Sequence, residues 1–247
     1  MKKIFLIKFF SLLFLISTSN CQSQSLIDYF KSFLQKNVSN NALLLFFELM
    51  RKNFSKKNYP GNLDHNKQAF ETHKSVIKSN NGYIEDQHNY KDMKYGYKTI
   101  AYSGCEIIAV YNSLYYLTKD ENIDFPQMID YFEHDGILID GEFGTTPRSL
   151  EEYINSKGYR TQSSYDIKDY DKIGDKCDVF IITFYNNKED IMDMIHTVAL
   201  TKEGKKFHIH NNGRNSHQIG YNSITELLEK INNGKAKDIF LIGINKN

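Results

Sequence analysis

The 247-residue chain has no tryptophan, three prolines and three cysteines. Three cysteines cannot build a disulfide-stapled scaffold, so the fold must rest on a packed core, and the chain is long enough for one. Charge of either sign is not in excess: 31 basic and 30 acidic residues leave a formal net charge of +1. No Lys/Arg run is dense enough to track phosphates, which excludes nucleic acid as a partner class. Past the N-terminus no apolar stretch approaches a bilayer span, so no membrane span is expected in the mature chain. A 40% hydrophobic and 25% charged composition is that of a globular protein rather than a disordered one.

What is present begins with MKKIFLIKFFSLLFLIS, a basic start and a short apolar run, followed by the small polar stretch STSNCQSQS. This is the layout of a signal peptide, assigned to residues 1–24. Export to the periplasm, envelope or medium is therefore expected, with a lipid anchor at Cys21 and an uncleaved anchor as the alternatives. Residues 25–90 read as a helical segment, since LIDYFKSFLQ, NALLLFFELMRK and DHNKQAFETHKSVIKS carry apolar residues at helical spacing. NGYIEDQHNYKDMKYGYKTIAYSG shows no period and reads as an extended loop, and residues 91–247 read as the main domain.

From Cys105 the pattern sharpens, with Ile107, Ile108, Tyr111, Leu114 and Tyr115 on one face of a helix. DFPQMIDYFEHD and TPRSLEEYINSKG give two more helices; Thr146, Pro147 and Gly158 supply the second one's cap, first turn and stop. The period then shortens to that of strands in CDVFIITFYN, HTVALT and KFHIHNN, with TKEGKK as a hairpin turn. SITELLEKINNG opens on a capping box, Ser223 with Glu226, and DIFLIGIN closes the chain as a strand. Helices followed by antiparallel strands define an α+β fold.

Cys105 follows a glycine and opens an apolar helix, where free N–H groups favour a thiolate. His196 begins a strand, and the hairpin back from TKEGKK returns Asn211 and Asn212 beside it, so either could fix the imidazole tautomer. Cys177 lies at a strand start and reads as a spectator thiol, a Cys105–Cys177 disulfide being the rival pairing. His208 and His210 share a strand face without a third ligand at metal spacing, so no metal site is expected.

The helix-borne Cys105, the HTVALTKEGKKFHIHNN hairpin and the order Cys, His, Asn resemble papain-like cysteine peptidases, nearest to the bacteriocin-processing, double-glycine peptidase-like branch. GTTPRSLEEYINSKGYRTQ is similar to the helix and strand that this branch places between nucleophile and histidine, and the resemblance spans roughly residues 95–245. It implies a papain-like fold, a peptide or protein substrate, and no metal or organic cofactor. It also implies Cys105 as nucleophile, His196 as base and Asn212 as orienter in preference to Asn211. The family places a glutamine a few residues before the cysteine as an oxyanion donor. No Gln or Asn stands between Lys91 and Cys105, which leaves Thr99, Tyr102 or Lys98 for that role, and Glu106 stands where a small residue is usual. A cysteine hydrolase is the first expectation. A transglutaminase-like acyltransferase and a non-catalytic peptide-binding domain are the alternatives.

Overall fold

The structure, a computed structural model, describes Glu48, Arg51 and residues 58–187, 195–213 and 216–246. The signal peptide expected at residues 1–24, and most of the part of the expected helical segment 25–90 that precedes residue 58, lie outside the described residues. The protein is a mixed α+β fold, with seven α-helices and a six-stranded antiparallel sheet among the described residues. No described helix is long and apolar enough to cross a membrane.

Helix α1 (Asn62–Ser79) buries Phe70, His73 and Ile77, one face at helical spacing, against the same core as the rest of the helical layer. Arg51 reaches that layer too, through Asp135, Ser149 and Glu152. The Tyr-rich stretch expected to be an extended loop is instead folded. It forms a hairpin of β1 (Lys94–Tyr95) and β2 (Lys98–Thr99), then the single-turn helix α2 (Ile100–Ser103). Its elements are too short to show a period, but Tyr90, Met93, Tyr95 and Ile100 are all buried.

Helix α3 (Cys105–Thr118) is the centre of the fold. Every residue from Cys105 to Tyr115 is buried, so the single apolar face read from sequence is only part of what it hides. The cause is its position between the sheet and the helices α4 (Phe125–His134) and α5 (Pro147–Ser156). A polar residue inside such a helix must find partners. Asn112 does, accepting from the Ile84 N–H at 2.8 Å and donating to the Ile84 carbonyl at 2.9 Å.

The sheet comprises β3 (Arg160–Ser164), β4 (Val179–Tyr185), β5 (Ile195–Glu203), β6 (Lys206–His210), β7 (Gly220–Tyr221) and β8 (Lys237–Asn245), in spatial order β3-β8-β4-β5-β6-β7. Successive β4 side chains alternate between two cores, as strand pleating requires. Val179, Ile181 and Tyr185 meet the α3 layer. Phe180, Ile182 and Phe184 meet α6 (Tyr170–Lys176) and α7 (Ile224–Lys230) on the other face. The expected cap of α7 is present, Ser223 Oγ accepting the Glu226 N–H at 3.0 Å, while the Glu226 carboxylate answers one residue earlier, at the Asn222 N–H. Cys177 packs in the second core, across the sheet from Cys105, and both thiols are free. The sheet thus stands between the two cysteines of the rival disulfide.

Candidate active site

Cys105 occupies the first position of α3, with Gly104 as the preceding cap residue. A Cβ on Gly104 would lie 2.8 Å from Ile100, so the tight join of α2 to α3 requires glycine there. The helix's first N–H groups have no carbonyl one turn back and point at whatever sits at this end. Cys105 is 6% exposed and its thiol donates to Glu106 Oε2 at 3.3 Å. Burial first, then the Glu106 charge, pushes the thiol pKa well up, while a main-chain hydrogen bond from Thr197 pulls it down. That Thr197 bond brings the sulfur to the residue next to His196.

His196 is the second residue of β5, paired across the ladder with Phe184 and set edge-on to that ring at 6.0 Å between centroids. Its Nε2 lies 2.6 Å from the Asn211 carbonyl oxygen. A carbonyl only accepts, so Nε2 carries the hydrogen and Nδ1 is left with the lone pair. Burial lowers the pKa of the ring, which keeps it neutral, with the Nδ1 lone pair free to accept a proton.

The partner of that ring is decided by where β6 ends. Register pairs Ala199 with His210, so a strand running straight on would set Gly213 against His196. Asn211 turns the chain instead, at φ 62, a left-handed conformation that asparagine tolerates better than most residues. Its carbonyl thereby meets the ring, and its side chain turns to Gln87. Oδ1 accepts the Gln87 N–H at 2.9 Å, and Nδ2 donates to Gln87 Oε1 at 3.2 Å. The Asn211 N–H donates to Glu85 Oε2 at 3.1 Å. Asn212, partly exposed, lines the cavity, and the bond to the ring comes from the main chain of its neighbour.

Cys105 and His196 open onto one cavity of about 1130 Å³, with Asn211, Asn212, Gln87 and Tyr102 among its lining. On the α2 side, buried Glu142 accepts from the Tyr102 hydroxyl at 2.6 Å and pairs with Lys98 Nζ at 2.7 Å. Two of the three side chains expected as oxyanion donors are thus engaged with one carboxylate. Behind Asn211, Glu85 Oε1 accepts from His210 Nδ1 at 2.7 Å, His210 Nε2 meets Thr201 Oγ1 at 2.8 Å, and Tyr83 stacks on the imidazole at 4.1 Å. His210 is therefore part of the support of the site. No group of three side chains among the described residues could hold a metal ion.

Glu85, Gln87, Glu106 and Glu142 were not among the residues that sequence reasoning assigned roles. Glu106 carried a signal in its unusual place beside the cysteine, and Glu142 a weaker one in the polar, glycine-containing loop IDGEFGTT, of the kind that lines a cleft. Comparisons with protein-family models, curated proteins and solved structures return no match for this chain.

Proposed function

We propose that the protein is a papain-like cysteine hydrolase that cleaves a peptide or amide bond. The observation that carries the reading is the buried Cys105 at a helix start, sharing one cavity with a His196 whose Nε2–H is fixed by a carbonyl. The fixed tautomer leaves Nδ1 to take the thiol proton. The Cys105 thiolate then attacks the substrate carbonyl, and its C=O pair moves onto oxygen. On collapse the C–N bond breaks, His196 returns the proton to the leaving amine, and water releases the acyl group from the thioester. The helix-end N–H groups stabilise the charge on oxygen.

Incubation of the signal-less protein with a mixed peptide library, read by mass spectrometry beside Cys105→Ala, tests this reading. Cleavage by the wild type alone is the expected result; cleavage retained by Cys105→Ala contradicts it. Adding an amine to the reaction separates hydrolysis from acyl transfer, because an amine-capturing enzyme would yield the new amide.

A second reading is favoured by the burial of the Cys105 thiol and by the Glu106 carboxyl against it, both of which oppose thiolate formation. In that reading the cleft binds a polar peptide without cutting it, and a bound library peptide is recovered intact. Export, inferred from residues 1–24, accompanies either reading. Cell fractionation of the full chain checks it, and a protein confined to the cytoplasm would refute it.

A further inference from the structure

Glu106 is 7% exposed, and its carboxyl group sits against the sulfur that the proposed reaction uses. Its surroundings fix it there. The Thr145 main-chain N–H binds the carboxyl, and Gly144 passes so close, at φ 71, that a Cβ would lie 2.7 Å from both carboxyl oxygens. The titratable groups facing it are Cys105 on its own helix and Tyr95 on β1, while the 142–146 loop turns its own acid, Glu142, away to Tyr102 and Lys98.

A thiolate and a carboxylate 3.3 Å apart, both buried, repel strongly. The reactive state of Cys105 therefore requires Glu106 to hold a proton, and a neutral carboxyl is a hydrogen-bond donor. The oxyanion formed by thiolate attack is bonded to the carbon that joins the sulfur, so it forms within reach of a donor already touching that sulfur. We propose that Glu106, as the neutral acid, is the side-chain oxyanion donor of this site and so a further catalytic residue. The inference rests on the Cys105 chemistry proposed above.

In the working step the Glu106 O–H first donates to the Cys105 thiolate, with the thiol proton on His196 Nδ1. As the S–C bond forms and the carbonyl pair moves to oxygen, the O–H turns from sulfur to the oxyanion. When the pair returns and the C–N bond breaks, the leaving amine takes its proton from His196. Glu106 ends with the proton it began with.

Two probes separate thiolate supply from oxyanion support. Alkylation by iodoacetamide needs only the thiolate, whereas acylation by p-nitrophenyl acetate passes through an oxyanion. Both are measured on the reduced, signal-less protein against a Cys105→Ser blank. In Glu106→Leu the ratio of acylation to alkylation rate falls on the order of 100-fold, the scale of one lost oxyanion donor. In Glu106→Gln, whose amide also donates, the ratio stays within a few-fold of wild type. If Glu106→Leu does not fold, the wild type alone decides. Its ratio falls as pH rises through about 7, where Glu106 ionises, and in Glu106→Gln it does not. A ratio indifferent to pH in the wild type, or unchanged in a folded Glu106→Leu, overturns the role of Glu106 and leaves the hydrolase reading intact. A Cys105 that reacts with neither probe refutes that reading and this inference with it.

Discussion

His196 is held by the main-chain carbonyl of Asn211, 2.6 Å from Nε2, while the Asn211 side chain is spent on Gln87. The orienting group is thus a peptide oxygen whose position depends on a left-handed residue, and it survives replacement of the neighbouring amide. Asn212→Ala is expected to alkylate at Cys105 with the wild-type dependence on His196. Asn211→Val forces a β-branched residue into that conformation, at a cost of about 1–2 kcal/mol, and is expected to lower stability and alkylation together. A tenfold loss in Asn212→Ala with Asn211→Val unaffected would assign the orienter to Asn212 instead.

Glu85 joins two supports of the site, bonding the Asn211 N–H with one oxygen and His210 with the other. Glu85→Ala leaves both donors without their acceptor, a loss of about 1–3 kcal/mol for a buried group. Urea denaturation checks this, and an unchanged midpoint would show that water replaces the carboxylate at no cost.

Glu133 takes hydrogen bonds from Asn62 Nδ2 and the Gly96 N–H, yet burial outweighs them and raises its pKa from 4.5 to about 7. The folded protein therefore binds this proton more tightly than the unfolded chain does. Its contribution to stability is full below about 4.5 and is lost as pH rises to about 7, since the unfolded state ionises first. Glu133→Gln is expected to lose less stability than wild type between pH 5 and pH 8, about the two sides of that window, in urea titrations. Equal losses would place the pH dependence elsewhere.

Gly144→Ala puts a methyl group 2.7 Å from both Glu106 oxygens at a φ of 71. Crowding and backbone strain together are expected to destabilise by about 1–3 kcal/mol. A fully stable Gly144→Ala would mean that the 142–146 loop yields easily and does not fix the carboxyl.

Much of the α+β architecture was legible because its signals are local. The β-branched and aromatic run in CDVFIITFYN, the turn at Gly204 between β5 and β6, and Ser223 before α7 each speak through a few neighbouring residues. The β1–β2 hairpin and α2 were not legible, since two-residue strands and a single helical turn carry no period. At the site, Cys105 and His196 could be singled out by their places on a helix start and a strand start. Gln87 and Glu85 could not, because they lie 124 and 126 residues from Asn211 and meet it only through the fold. Sequence also pairs a ring with a side chain by habit of residue type. That a main-chain oxygen does this work follows only from the break in β6 at Asn211.

The central claim, that Cys105 and His196 act as one nucleophile and base, is tested most directly by the pH dependence of Cys105 alkylation with iodoacetamide. Wild type is compared with His196→Ala, and modification is read at the Cys105 peptide by mass spectrometry. Below about pH 7 Glu106 is protonated and burial is the remaining opposition to the thiolate, which neutral His196 offsets by taking the thiol proton; the account predicts fast alkylation that persists there and is lost in His196→Ala. A rate that rises only toward the free-cysteine range near about 8.5, and is the same in both proteins, would contradict it.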